Sequence, residues 1–183
     1  MLHKKLRILL YGSGFWALGE GMLGPLFAVF AQQLGGSILD ISWAWAIYLI
    51  VTGVLVLLTG RLADKKKLRE ELMIAGYALN AILTFCYLFV SSATQLFIIQ
   101  LGLGVAASLT IPTWNAIYSK HVDEETGGYL WGLASGSPAI ITGVAVIIGG
   151  FIVSYFSFTA LFITMGTIQV IAAIYQAQIL SKH

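Results

Sequence analysis

Val51-Thr52-Gly53-Val54-Leu55-Val56-Leu57-Leu58-Thr59-Gly60 is an uncharged, mostly apolar run. It ends in Arg61-Leu62-Ala63-Asp64-Lys65-Lys66-Lys67-Leu68-Arg69, where five of nine residues are basic. An apolar segment that stops at a basic cluster reads as a membrane span meeting the cytoplasmic face. Working outward from it, the chain shows six apolar stripes, at 8–32, 42–59, 72–90, 95–119, 128–154 and 157–180. Each is close to or above the roughly 20 residues a helix needs to cross a bilayer. Runs this long and this uniformly apolar are helices rather than barrel strands.

The charges sort with the stripes. All ten Lys and Arg residues fall on one side of the pattern. Lys4, Lys5 and Arg7 precede the first stripe, and the cluster from Arg61 to Arg69 lies between the second and third. Lys120 lies between the fourth and fifth, and Lys182 follows the sixth. The alternate connections, 35–42, 91–95 and 154–157, hold no Lys or Arg. The positive-inside rule then places both termini in the cytoplasm. The expected fold is an all-α membrane protein, a single six-helix transmembrane domain over 1–183, in an inner or plasma membrane.

Composition agrees. Hydrophobic residues make up 58% and charged residues 10% of the chain, against roughly 25% charged in an average soluble domain. This excludes a disordered tail, a nucleic-acid binder and an ordinary soluble enzyme. The single cysteine, Cys86, sits in an apolar run, so neither a disulfide framework nor a Cys-based metal site is expected. The early basic residues and Val29-Phe30-Ala31 imitate a cleavable signal. The apolar stretch 8–31 is longer than a signal core of about 7–15 residues, and it carries Glu20 and Pro25. The first stripe is therefore expected to be a span. Trp43, Trp45 and Tyr48 near one face, and Trp114, Tyr118, Tyr129 and Trp131 near the other, fit interfacial aromatic belts. Simple packing is the alternative for any one of them.

The chain also repeats itself. Val51-Thr52-Gly53-Val54-Leu55-Val56 matches Ile141-Thr142-Gly143-Val144-Ala145-Val146, and the same offset carries Gly60 onto Gly150. The first and fourth stripes share a late proline, Pro25 and Pro112. The halves, about 8–90 and 95–180, hold three spans each. An odd number makes the second copy enter from the opposite side, a 3+3 inverted repeat. Pro25, Pro112 and Pro138 are candidate kinks. The small residues Gly132, Gly136, Ala139 and Gly143 have the spacing of close helix contact.

Gly60-Arg61-Leu62-Ala63-Asp64-Lys65 resembles the signature between spans two and three of major facilitator superfamily transporters. Lys67 stands where that family usually has glycine, and Leu68 where it usually has a basic residue. Gly132, Gly136, Pro138 and Gly143 resemble the Gly/Pro-rich fifth helix of the family's antiporters, although Ser137 interrupts the Gly-Pro pair. The resemblance runs over the whole chain but over only the N-terminal half of a usual member, which has two six-span halves. It implies a half-size transporter working by alternating access as a parallel homodimer, closed two-fold symmetry being the commonest assembly. A half encoded elsewhere would serve as well. It also implies that Gly60, Arg61, Asp64 and Lys65 form a conformational latch. Asp64 would face the start of span five in the second protomer, where a helix N-terminus favours a carboxylate by roughly 0.3–1 kcal/mol.

Glu20 is the one ionisable acid or base inside a span core, and it lies near the midplane. A carboxylate at that depth is costly, and such residues usually mark an ion or substrate path. Ser13, Trp16, Leu23, Gly24 and Phe27 share its helical face. Glu20 is thus the expected proton site, or the anchor for a cationic substrate through charge and cation–π contact. No Lys, Arg or His lies in a span core, which favours cationic or neutral solutes. Span four carries its own polar line, Gln100, Gly104, Ser108, Asn115 and Ser119. In the family, spans one and four face the central cavity, which implies Gln100, Ser108 and Asn115 as cavity residues and leaves Asn80 and Gln169 as packing groups.

A solute transporter is therefore expected, proton-coupled through Glu20. Its partners are a second copy, a small-molecule substrate and the lipid bilayer. No nucleic acid, cofactor, metal or catalytic residue is expected, because His3, His121 and His183 lie at the rim and Asp40 stands alone on the outer side. A non-transporting assembly or scaffold protein with the same fold is the alternative.

Overall fold

The computed structural model describes residues 3–180; Lys182 and His183 lie outside the described residues. Among the described residues the regular structure is all helical: α1 Lys4–Gly21, α2 Leu26–Gln33, α3 Ile38–Lys66, α4 Arg69–Cys86, α5 Ala93–Ser119, α6 Gly127–Tyr155 and α7 Phe158–Ala177. Short 3₁₀ turns, Tyr87–Phe89 and Gln178–Leu180, extend α4 and α7. Among the described residues α3 to α7 are each long and apolar enough to cross a bilayer. The bent pair α1–α2, counted as one span, brings the number to six.

The helices that start at the lysine-free connections share one device. Ser37, Ser92 and Ser157 accept hydrogen bonds from the backbone N–H groups of Asp40, Gln95 and Ala160. Each satisfies an orphan donor at a helix start without bringing in a positive charge. At Ser37 the Asp40 carboxylate returns the bond to the Ser37 N–H at 2.9 Å, completing a capping box. At the basic end α4 starts without a side-chain cap, and Glu70 and Glu71 occupy its first turn, where the helix dipole favours acids.

Three expectations change. The second span does not stop at residue 59: α3 continues to Lys66, so Asp64 lies in a helical turn rather than a loop. Lys67 ends α3 in the left-handed region at φ 56°, its N–H bonded to the Ala63 carbonyl. That conformation explains why glycine suits the position. Lys67→Gly is expected to stabilise the protein by about 1 kcal/mol, read by thermal unfolding in detergent. The first span is broken, with α1 and α2 meeting at 44°. Pro25, which has no N–H to give, starts α2. Pro112 and Pro138 instead lie inside continuous helices.

Packing follows the order α6–α1–α7–α4–α5–α3. One apolar cluster, around Phe30, Tyr87 and Phe162, fills the end away from the basic residues. A second, around Leu9, Met73 and Tyr118, fills the basic end. α3 and α6 bury only 6% and 11% of their apolar windows, against 56% for α5. Their outer faces are thus available to lipid or protein. Gly132, Gly136 and Gly143 of α6 lie on that open side, with nothing within 4 Å of where a Cβ would stand, so their spacing does not mark a contact within this bundle. Tyr118 is not an interfacial anchor either. It is fully buried, and its hydroxyl donates to the Leu130 carbonyl at 2.6 Å.

Candidate functional site

Two cavities lie between the helices and share one wall, Tyr48. The first, about 100 Å³, is bounded by Glu20 and Gly24 of the first span and by Phe27 of α2. Trp45 and Tyr48 come from α3, Thr84 from α4, Tyr87 from the turn after it, Gln100 and Leu103 from α5, and Met165 from α7. The second, about 270 Å³, lies toward the basic end. Ser13, Trp16, Tyr77, Ala107, Thr110, Trp114, Asn115 and Ala134 are among its lining residues.

Glu20 is half-buried at the first cavity. Asn80 of α4, fully buried, donates its amide N–H to Glu20 Oε1 at 3.1 Å. Trp16 stands one turn earlier on the same helix, α1. Trp16 is held edge-on to Tyr77, with ring centroids 4.7 Å apart. Asn80 Oδ1 is buried with no hydrogen-bond partner among the described residues. An amide carries a donor and an acceptor on opposite corners. Turned over, Asn80 would present Oδ1 to a protonated carboxyl, so one side chain serves both states of Glu20. Asn80→Ala is expected to cost about 1–3 kcal/mol, because it strands a buried acid. Asn80→Leu, which fills the space but gives no hydrogen bond, is expected to leave the same acid stranded; thermal unfolding in detergent checks both.

The rings around the carboxyl form a continuous set. Phe27 meets Trp45 at 6.1 Å between centroids, and Trp45 meets Tyr48 at 5.6 Å. A carboxylate beside such ring faces offers both charge and cation–π attraction to a positive ligand. Among the described residues no cationic side chain lines this cavity.

Of the residues expected from sequence, Glu20, Gly24, Phe27 and Gln100 line the first cavity, and Ser13, Trp16 and Asn115 the second. Ser108 lines neither. It is buried, and its hydroxyl donates to the Val105 carbonyl of its own helix at 2.7 Å. Trp45 and Tyr48, read as belt residues, stand in the cavity wall. Trp114 stacks on Tyr118 at 4.6 Å and donates to the Leu9 carbonyl. Asn80 is a direct partner of Glu20 rather than a packing group. The helical spacings 45/48/52 and 77/80/84 held the missed signal, two polar or aromatic lines within apolar spans. At the basic end Gly60, Arg61, Asp64 and Lys65 lie together on the last turns of α3. Asp64 Oδ1 accepts from Arg69 at 2.7 Å, and Lys5 pairs with Glu70 at 2.8 Å.

The family model described as Major Facilitator Superfamily matches residues 9–180, nearly the whole chain. The chain belongs to the major facilitator superfamily. Among curated relatives, it is 27% identical to multidrug resistance protein MdtL of Klebsiella pneumoniae. That alignment covers 96% of this chain and 43% of the relative. It is 23% identical to an MFS-type transporter of Methanocaldococcus jannaschii, over 86% of this chain and 40% of the relative. It is 19% identical to the MFS-type transporter YitZ of Bacillus subtilis, over 78% of this chain and 87% of the relative. The chain thus spans about two-fifths of the length of the first two, and most of the third. Members of the superfamily are multi-pass transporters of the cell membrane.

Proposed function

We propose that the chain is one half of a major-facilitator transporter, completed by a second copy of itself lying parallel to it. It carries a cationic or neutral small molecule by alternating access, coupled to protonation of Glu20. The observation that carries this reading is the Glu20 carboxyl at the wall of an aromatic cavity, held by Asn80. Relative MdtL is a multidrug resistance protein, a name in keeping with a site that recognises charge and ring faces rather than one hydrogen-bond pattern.

The 3+3 inverted repeat draws support from the packing order. Exchanging the first three spans for the last three turns the α3–α5 contact into α6–α1 and α4–α5 into α7–α1, and leaves α4–α7 unchanged. The repeated threonines behave alike. Thr52 donates to the Gly104 carbonyl of α5, and Thr142 packs against Gly21 of α1. Both termini are assigned to the cytoplasm from the sorted charges.

The exposed faces of α3 and α6 support completion by a second bundle, since the family's two halves are related by an axis along the membrane normal. α6 also starts with no side-chain cap at Thr126, leaving free N–H groups for Asp64 of the second copy. In that closed state Asp64 exchanges its Arg69 partner for a helix terminus.

The test uses purified protein in liposomes with an imposed pH gradient and ethidium as the cationic probe. Gradient-driven accumulation that collapses with a protonophore is the expected result. No movement of a broad panel of cationic and neutral probes would favour a scaffold role instead.

A further inference from the structure

A third cavity is larger than either of those described. It is a groove of about 500 Å³ on the back of α1, with Arg7, Gly14 and Leu18 on its floor and Ser137, Ile140 and Val144 of α6 along one wall. Every lining residue belongs to α1 or α6. We propose that this groove binds an anionic glycerophospholipid, with one acyl chain along α1 and the phosphate against Arg7.

Three observations select that occupant. The first is charge. Lys4 and Arg7 are exposed, lie one turn apart on α1, and belong to no ion pair among the described residues, whereas neighbouring Lys5 is held by Glu70. Basic residues at the mouth of a groove between spans attract anionic headgroups. The rest of the groove is apolar apart from the Tyr11 and Ser137 hydroxyls.

The second is length. From Arg7 to Leu18 the helix rises roughly 16 Å, close to half of a hydrocarbon core of about 30 Å. The groove therefore starts at a headgroup and ends near the midplane, the depth of one acyl chain in one leaflet. That this is the cytoplasmic leaflet rests on the orientation proposed above.

The third is placement. α1 turns Ser13, Trp16 and Glu20 to the cavities, and the groove residues lie on its opposite flank. α6 divides likewise, with Ala134 on the cavity side and Ser137, Ile140 and Val144 on the other. A second bundle closing over the cavities leaves this flank facing lipid.

Native mass spectrometry of the full chain in mild detergent tests the proposal, with dioleoyl phosphatidylglycerol and dioleoyl phosphatidylcholine as probes. Phosphatidylglycerol is expected to be retained more strongly than phosphatidylcholine. Arg7→Gln is expected to weaken its retention about fivefold, the factor that ~1 kcal/mol per basic residue produces. Lys120→Gln, which removes a charge at the same rim but away from the groove, is expected to change it little. Ser137→Trp, which fills the groove, is expected to lower retention of both lipids. Equal retention of the two lipids would overturn the proposal. So would equal losses from Arg7→Gln and Lys120→Gln, which would mean general surface attraction. A change in oligomeric state with Ser137→Trp at unaltered lipid retention would assign the groove to a second copy. Because Arg7 is exposed, its variant keeps the test open should the tryptophan variant fail to fold. Retention is read without transport, so a negative result here leaves the transporter reading standing.

Discussion

Glu20→Gln is expected to reduce pH-gradient-driven accumulation in liposomes to the level of protein-free vesicles, while exchange of labelled for unlabelled substrate continues. Glutamine has the shape of a protonated glutamate and keeps an acceptor for the Asn80 amide, so the packing around it is preserved. What it removes is the ability to take up and release a proton. A fixed neutral group at mid-span also removes the cost of a charge, which is roughly 2.5–3.5 kcal/mol on insertion scales. The variant is therefore expected to be no less stable than the parent. Gradient coupling needs the proton and exchange does not, so the two measurements separate a proton site from a purely structural acid. Wild-type accumulation by Glu20→Gln would remove Glu20 from the mechanism. Loss of both activities would instead make it a substrate anchor.

Gly149→Leu is expected to have the largest effect on stability. α6 crosses the break between α1 and α2 at this glycine. A Cβ there would overlap the Met22 carbonyl group, which is backbone and has no rotamer to yield. Overpacking of that kind costs about 1–3 kcal/mol, and more where the clash is with main chain. The neighbouring open face supplies the contrast. Gly143→Leu meets nothing within the bundle and is expected to leave unfolding of the monomer unchanged. Thermal unfolding in a single detergent, with the two variants side by side, distinguishes a packed crossing from an exposed stripe. If both variants unfold with the parent, the α1–α6 crossing is not as drawn.

Much of this was legible in the sequence because it depends on local quantities. Apolar length marked six stripes, the sorting of Lys and Arg suggested their directions, and Glu20 stood out as an acid where none is cheap. The signature from Gly60 to Lys65 named the family that the match over residues 9–180 shows. What was missed depends on which helix stands beside which. Asn80 is an ordinary polar residue until α4 is packed between α5 and α7 and its amide reaches Glu20. Tyr48 and Trp45 carry the composition of a membrane interface, and only the fold turns them to a cavity. The prolines differ in a way that only the fold shows. Pro25, Pro112 and Pro138 look alike in sequence, yet only Pro25 breaks its span, next to the close crossing at Gly149. Lys67 shows the reverse: it replaces the family's usual glycine, yet the backbone there stays in the left-handed region.

The central claim is that two copies of this six-span bundle make one transporter, meeting through the exposed faces of α3 and α6. Native mass spectrometry of the chain released from lipid nanodiscs tests it most directly, with Gly143→Leu measured alongside. The account predicts a dimer for the parent chain and a shift to monomer for the variant, whose added side chain stands on the open face of α6. A monomer as the dominant species of the parent chain would contradict it.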